Sequence, residues 1–297
     1  MSASAESDEH SPYDLLAGDT DEGHRWAFGT GFTDPLAGVD TTVPEGMDAE
    51  ALADYCLALG DDGLIYSHRL QQWMTLLPEL EEETAVANVA LDLLGQARLL
   101  LARAGAIRGR SEDELAFFRD EPQFRNVRLV EHRDEDFAEL VGRLLVFASW
   151  RLALFERLRD SSDPVLAAVA AKGVSELAYH RDYAAQWVVR LGDGTEVSHR
   201  RMQAALDRLW PLVDELYAPD PVAGRLGSAA VDAAAVRSEV DVVLDTVLAT
   251  AGLTRPSAAP LGRVPGRSGR GGDHTEALGY VLAELQSVAR TYPDATW

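Results

Sequence analysis

The residues of this chain best suited to chemistry lie in two segments, Asp92-Leu93-Leu94-Gly95 and Glu176-Leu177-Ala178-Tyr179. Each sets an acid three residues before a position that shares its helix face. In di-iron carboxylate bundles such helices carry Glu-x-x-His, so that the acid and the imidazole grip one metal pair together. Here Gly95 and Tyr179 stand where the histidines belong. The pattern points to a bundle of this class whose metal centre has been lost, and so to a structural partner rather than a catalyst.

A working di-iron site draws carboxylates and histidines from the inward faces of four helices. The acids on offer are Asp61 or Asp62, Asp92, Glu139 and Glu176. Asp92 sits among Val89, Leu91, Leu93 and Leu94, with Asn88 and Gln96 on its side of the helix. A buried acid needs partners, so Asp92 is either a ligand or a member of a polar core network. His180 follows Glu176 by four, which also shares a face and leaves a metal geometrically open. One histidine with glycine at the second equivalent position is a poor ligand set, and a hydrogen-bonded network of former ligand positions is the favoured reading. No catalytic or metal residue is therefore assigned; the vestigial positions are Asp62, Asp92, Gly95, Glu176, Tyr179 and His180.

The other histidines read as tail (His10, His24), as helix surface or ends beside arginines (His68, His132, His199), or as the start of the last helix (His274). No pair has the spacing of a tight metal site. Nucleophilic catalysis lacks a Gly-x-Ser-x-Gly elbow, and Cys56, the lone cysteine, reads as a small buried apolar residue. Arg263, Arg267 and Arg270 lie in a glycine-rich stretch that reads as a solvated loop rather than a site for an anionic partner or a coenzyme A phosphate.

The elements that must position these residues are helical. Residues 1–46 form an acidic tail expected to be disordered, with Trp26, Phe28 and Phe32 as docking points. Helices are expected over about 47–76, with Gly60 and Gly63 as kink points, and over 80–104, stopped by Gly105. A short capped helix at 111–119 precedes long helices at 134–159 and 164–190, and a further one at 196–216. Residues 219–226 read as loop, 229–251 as a helix and 274–291 as the last helix. No stretch alternates with period two. The fold class is all-α, a four-helix bundle with additional C-terminal helices, occupying 47–297 as one domain.

Composition excludes several functions. The net charge is −22 and the only lysine is Lys172, a surface that repels nucleic acid. A halophilic host would account for both features. The most apolar run, Leu144 to Trp150, is broken by Arg143 and Arg151; no membrane span and no secretory leader is read, and the protein is expected to be cytoplasmic.

Several ordered motifs resemble the PaaC-type subunit of the ring 1,2-phenylacetyl-CoA epoxidase. They are Leu59-Gly60-Asp61-Asp62 with Arg69-Leu70, Pro78 to Glu82, Ala87 to Arg98, Leu191 to Glu196 with Ser198 to Met202, His274-Thr275-Glu276, Leu278-Gly279-Tyr280 and Arg290 to Pro293. The match runs from about Leu52 to Trp297. The resemblance implies a ferritin-like fold and a place in a multicomponent monooxygenase of aerobic phenylacetate breakdown. In that family a homologous catalytic partner holds the di-iron centre and epoxidises the ring of phenylacetyl-CoA. A reductase with flavin and iron–sulfur groups passes on electrons from NADPH, and the PaaC-type chain supports the catalytic one without a cofactor of its own. Trp73, Trp187, Trp210, Tyr292 and Trp297 are candidates for that docking surface or for the core, Trp187 for the core first. Two rivals stand beside this reading. In one, the chain binds iron itself through Asp92, Glu176 and His180, helped by Asp62 and Glu139; in the other, it is a free-standing helical scaffold or storage protein.

Overall fold

In a computed structural model, residues 36–258, 260 and 268–295 are described. Trp26, Phe28, Phe32, His10, His24, Arg263, Arg267 and Trp297 lie outside them. The described chain is all-α, with no strand among the described residues. The helices are α1 (Ala49–Gln71), α2 (Leu80–Arg108), α3 (Glu112–Phe117), α4 (Phe137–Leu158), α5 (Pro164–Gly192), α6 (Glu196–Val213), α7 (Pro221–Leu226), α8 (Arg237–Thr250) and α9 (Glu276–Thr291). The chain divides into Met1–Ala37 and Gly38–Trp297, and the second unit is the ferritin-like bundle. Gly38 to Gly46, placed in the tail by sequence, therefore belongs to that unit. The Arg103 guanidinium, 4% exposed, donates to the carbonyls of Thr41 and Thr42 and pairs with Asp163.

Two antiparallel hairpins make the bundle: α1 packs on α2, and α4 on α5, with α2 also against α5 and α6 covering α4. Helix starts follow side-chain capping. Asp48, Asp136 and Asp163 accept the amides of Ala51, Glu139 and Leu166, and Ser111 with Glu114 completes the capping box read from sequence. At 29 residues each, α2 and α5 are rods about 43 Å long.

Gly60 and Gly63 do not end or break α1, which runs through both. They allow close approach instead: a Cβ on Gly63 would lie 2.9 Å from the Leu93 carbonyl oxygen and 3.3 Å from Ala97 Cβ. Gly63→Ala is expected to cost about 1–3 kcal/mol of stability by overpacking the α1–α2 seam. Chemical denaturation checks this, and an unchanged midpoint would show that the seam relaxes freely. Gly105 likewise does not stop α2; the stop is Gly109, in the left-handed region at φ 66°. The helix expected over 229–251 is two 3-10 turns followed by α8, and part of the 219–226 loop is the short α7.

By length and composition alone α2 is apolar enough to cross a membrane, a property that the core helix of a bundle shares. In the bundle its apolar face, including Val86, Val89, Leu93, Ala97 and Leu100, is buried. Trp73, Trp187 and Trp210 are half-buried and Tyr292 is exposed. The Trp187 indole N–H donates to Glu82 at 3.0 Å, and its ring meets Phe137 edge-on with centroids 4.9 Å apart.

His274 lies just before the N-cap Thr275 of α9. Its side chain is fully buried, with Nδ1 2.6 Å from Glu131 Oε1 and Nε2 3.1 Å from the Phe124 carbonyl oxygen. Two oxygen acceptors require two N–H donors, hence an imidazolium. Burial opposes that charge, but the hydrogen bond and charge of Glu131 outweigh it, and the pKa is raised. A raised folded-state pKa gives stability that is complete below the ordinary value, about 6.5, and is lost as pH rises through the folded value. The stability gap between the parent and His274→Gln should therefore shrink as pH rises from 6 to 9. A gap independent of pH in unfolding titrations would refute the charged clamp.

Candidate functional site

Where α1, α2, α4 and α5 face one another, the apolar core holds a polar cluster. The centre of the cluster is Arg151 of α4, which is 0% exposed. Its Nε donates to Gln96 Oε1 of α2 at 3.0 Å and its Nη1 to the Leu59 carbonyl of α1 at 3.1 Å. The guanidinium also lies over the Phe155 ring, 4.6 Å from its centroid. Gln96 turns its amide nitrogen to Glu176 Oε2 of α5 at 3.0 Å, an orientation that the arginine on its oxygen dictates. Gly173 of α5 makes room, since a Cβ there would strike Phe155 at 2.8 Å and approach Gln96 Nε2 at 3.2 Å. A chain of donors thus runs from α4 through α2 to α5.

His180 is wholly buried and sets Nε2 2.9 Å from Asp92 Oδ2, across the α2–α5 seam, while its Nδ1 has no partner among the described residues. Glu176 has Lys172 Nζ 3.7 Å from Oε1. Burial pushes the Glu176 carboxyl up, with the nearby Asp92 charge acting the same way, although the Gln96 hydrogen bond opposes this. Burial also lowers the Arg151 pKa to about 10, with the charge of Asp62 opposing it; at neutral pH it remains a cation.

Of the positions singled out by sequence, the structure brings together Asp92, Glu176 and His180, with Gln96. Asn88 is exposed and takes no part. Gly95 has nothing within 4 Å of where a Cβ would stand, and Tyr179 is 52% exposed, stacked on Tyr183. On these helices the residues four after the acid, Gln96 and His180, face inward; those three after it face out.

Asp61 and Asp62 are fully buried but are held elsewhere. Arg119 grips Asp61 through both carboxylate oxygens, and the Arg125 amide donates to it at 2.8 Å. Asp62 takes Arg270 Nη2 at 2.7 Å, Arg270 Nη1 at 3.0 Å and the Val127 amide at 2.9 Å. Arg270 is therefore not in a solvated loop: it spans from the C-terminal segment to α1, donating as well to the carbonyls of Ala58 and Arg125. Glu139 is in the first turn of α4 and binds Arg208 and the Glu135 amide, apart from the Arg151 network. Arg151 and Arg143 register in the sequence only as interruptions of an apolar run, and their role escapes it there. An arginine inside a helix that is otherwise apolar on every side is the signal that could have found them.

The family model for phenylacetic acid catabolic protein (PaaA_PaaC) matches residues 38–297. The C-type subunit of 1,2-phenylacetyl-CoA epoxidase from Escherichia coli K12 is 41% identical over 251 residues, covering 83% of this chain and 99% of the relative.

Proposed function

This chain belongs to the phenylacetic acid catabolic protein family, and from that premise we propose that it is the non-catalytic structural subunit of a monooxygenase that epoxidises the aromatic ring of phenylacetyl-CoA. It would support a homologous catalytic partner, which holds the di-iron centre, while a reductase supplies electrons from NADPH. The match to one chain of an epoxidase, over nearly the whole of that relative, supports the complex. The observation that carries the structural role is Arg151. A fixed guanidinium sits among the helices whose acids would ligate, bonded to Gln96 and to Leu59. Asp62 is committed to Arg270, and neither Gly95 nor Tyr179 offers an inward imidazole.

These residues do not fit a carboxylate-bridged metal pair. Such a pair needs four acids and two histidines converging on two cations. Here one acid–imidazole contact, Asp92–His180, and one further acid, Glu176, share the core with a cation of the protein's own. The internal network instead fixes the spacing of α2, α4 and α5. A catalytic bundle needs its helices held to a fraction of an ångström, and a stiff homologous bundle docked on it can supply that.

A second reading, that the chain binds iron itself, draws on the convergence of Asp92, Glu176 and His180 and the unpartnered His180 Nδ1. One experiment separates the two. The chain is purified alone and co-expressed with its catalytic homologue, and iron and epoxidase activity are measured. We expect no bound iron pair and no turnover alone, and a stable active complex together. About two irons per chain with turnover in isolation would overturn the structural role.

A further inference from the structure

Outside the Arg151 network, one cluster has metal-binding donors and lacks the hydrogen bonds that would satisfy them. His132 caps the 3-10 turn Arg128–Glu131, Asp134 follows in the connection to α4, and Glu139 is in the first turn of α4. One donor atom from each lies within 4.8 Å of the other two. The side chains of Asp134 and Glu139 are wholly buried, and that of His132 is 26% exposed, which sets the cluster close to the surface.

One atom in this cluster is unexplained by protein contacts among the described residues, and one contact is poorly aligned. Asp134 gives one oxygen to Arg143, but its Oδ1 is buried without a partner among the described residues. His132 Nε2 is 3.0 Å from Glu139 Oε1, an ion-pair contact that lacks the alignment of a good hydrogen bond. Buried polar atoms are nearly always satisfied, so an orphaned carboxylate oxygen beside a misaligned imidazole–carboxylate contact calls for a missing group. A proton shared by His132 and Glu139 would favour a linear contact. A metal ion would not: two donors about 2.0–2.1 Å from one tetrahedral ion stand about 3.3–3.4 Å apart without pointing at each other. The observed 3.0 Å is slightly shorter, so the two side chains would part by a few tenths of an ångström to admit the ion.

We propose that His132, Asp134 and Glu139 form a binding site for a divalent transition metal of the zinc class, which pins the 132–136 connection to α4. Both carboxylates are held in place by other donors. The Glu135 amide donates to Glu139 Oε2 at 2.6 Å, Arg208 Nε donates to Glu139 Oε1 at 2.9 Å, and Arg143 holds Asp134, the kind of outer contacts that steady metal ligands. Those two guanidiniums, with Arg69 and Arg133 close by, repel any cation. The ion must therefore gain strongly from its bonds. An imidazole with two carboxylates selects Zn²⁺ or Co²⁺ over Mg²⁺ and Ca²⁺, whose binding rests on charge and oxygen donors alone.

The test uses the full chain, stripped with chelator and titrated with Co²⁺ followed by its visible absorption, and with Zn²⁺ by calorimetry. One equivalent per chain is expected. His132→Ala, a partly exposed position that should fold, and Asp134→Asn should each weaken binding at least tenfold, while His68→Ala and His180→Ala leave it unchanged. A thousandfold excess of Mg²⁺ should not displace Co²⁺. No binding up to millimolar Co²⁺ and Zn²⁺, or undiminished binding by His132→Ala, or loss of binding in His180→Ala, would overturn the assignment. Because the readout is metal binding to this chain alone, failure here is independent of the outcome of the co-expression experiment.

Discussion

Arg151→Ala is expected to lower the folding free energy by about 3–5 kcal/mol. The change strands the buried Gln96 Oε1, at about 1–3 kcal/mol, takes from the Leu59 carbonyl the donor it has beyond its helical bond, and leaves a cavity beside Phe155. Gln96 could flip its amide to recover one bond, but would then turn its oxygen toward Glu176. Arg151→Met keeps most of the side-chain volume and should lose less, so the difference between the two variants isolates the packing share. Urea unfolding reads both. A loss below about 1 kcal/mol for Arg151→Ala would mean that the network contributes little to the bundle, and the structural role argued from it would fall with it.

Arg270→Ala is expected to have an effect of similar size, about 3–5 kcal/mol, for a different reason. Removing one member of a buried ion pair leaves an uncompensated charge. Asp62 is 0% exposed, and burial already pushes its carboxyl up against the pull of Arg270. The Arg270 pKa is itself raised: burial disfavours its charge, and the Asp62 carboxylate more than restores it. The contact has the two-pronged geometry of an ion pair, with Nη1 on Asp62 Oδ1 and Nη2 on Oδ2. The informative control is the double replacement Asp62→Leu with Arg270→Met. Removing both charges at similar volume should recover much of the loss, since buried pairs are often replaceable by apolar residues. A double variant as unstable as the sum of the two single ones would show that the two side chains are not coupled.

The long helices are legible in the sequence, because Leu, Val and Ala recur at the helical period and Asp, Ser and Pro mark the starts. The meeting of Asp92, Glu176 and His180 is legible too, since an acid within an apolar helix must face a partner. The inward register is not. The Glu-x-x-His spacing points to Gly95 and Tyr179, whereas Gln96 and His180, one residue further on, face the core. Arg151, Arg270 and His274 are hidden because their partners lie far off in the chain. Arg270 meets Asp62 across 208 positions and His274 meets Glu131 across 143, and no local period records such a pairing. Glycines mislead in the opposite sense: Gly63 and Gly105 look like interruptions, although both allow a close backbone approach within intact helices.

The connection from Gly109 to Asp136 joins the two hairpins, and cationic side chains lie along it. Arg69 holds the Glu131 carbonyl, Arg143 that of His132 and Arg270 that of Arg125, while Asp61 and Asp62 receive the amides of Arg125 and Val127. The hairpins close over short sequence distances and can form early, whereas this connection can be fastened only once α1, α4 and the C-terminal segment are all in place. Its clamps are thus expected to form after the folding transition state, which refolding and unfolding rates of Arg270→Ala would check. Weakening them leaves refolding speed nearly untouched and appears instead as faster unfolding, so that the connection sets the lifetime of the folded bundle more than its rate of formation.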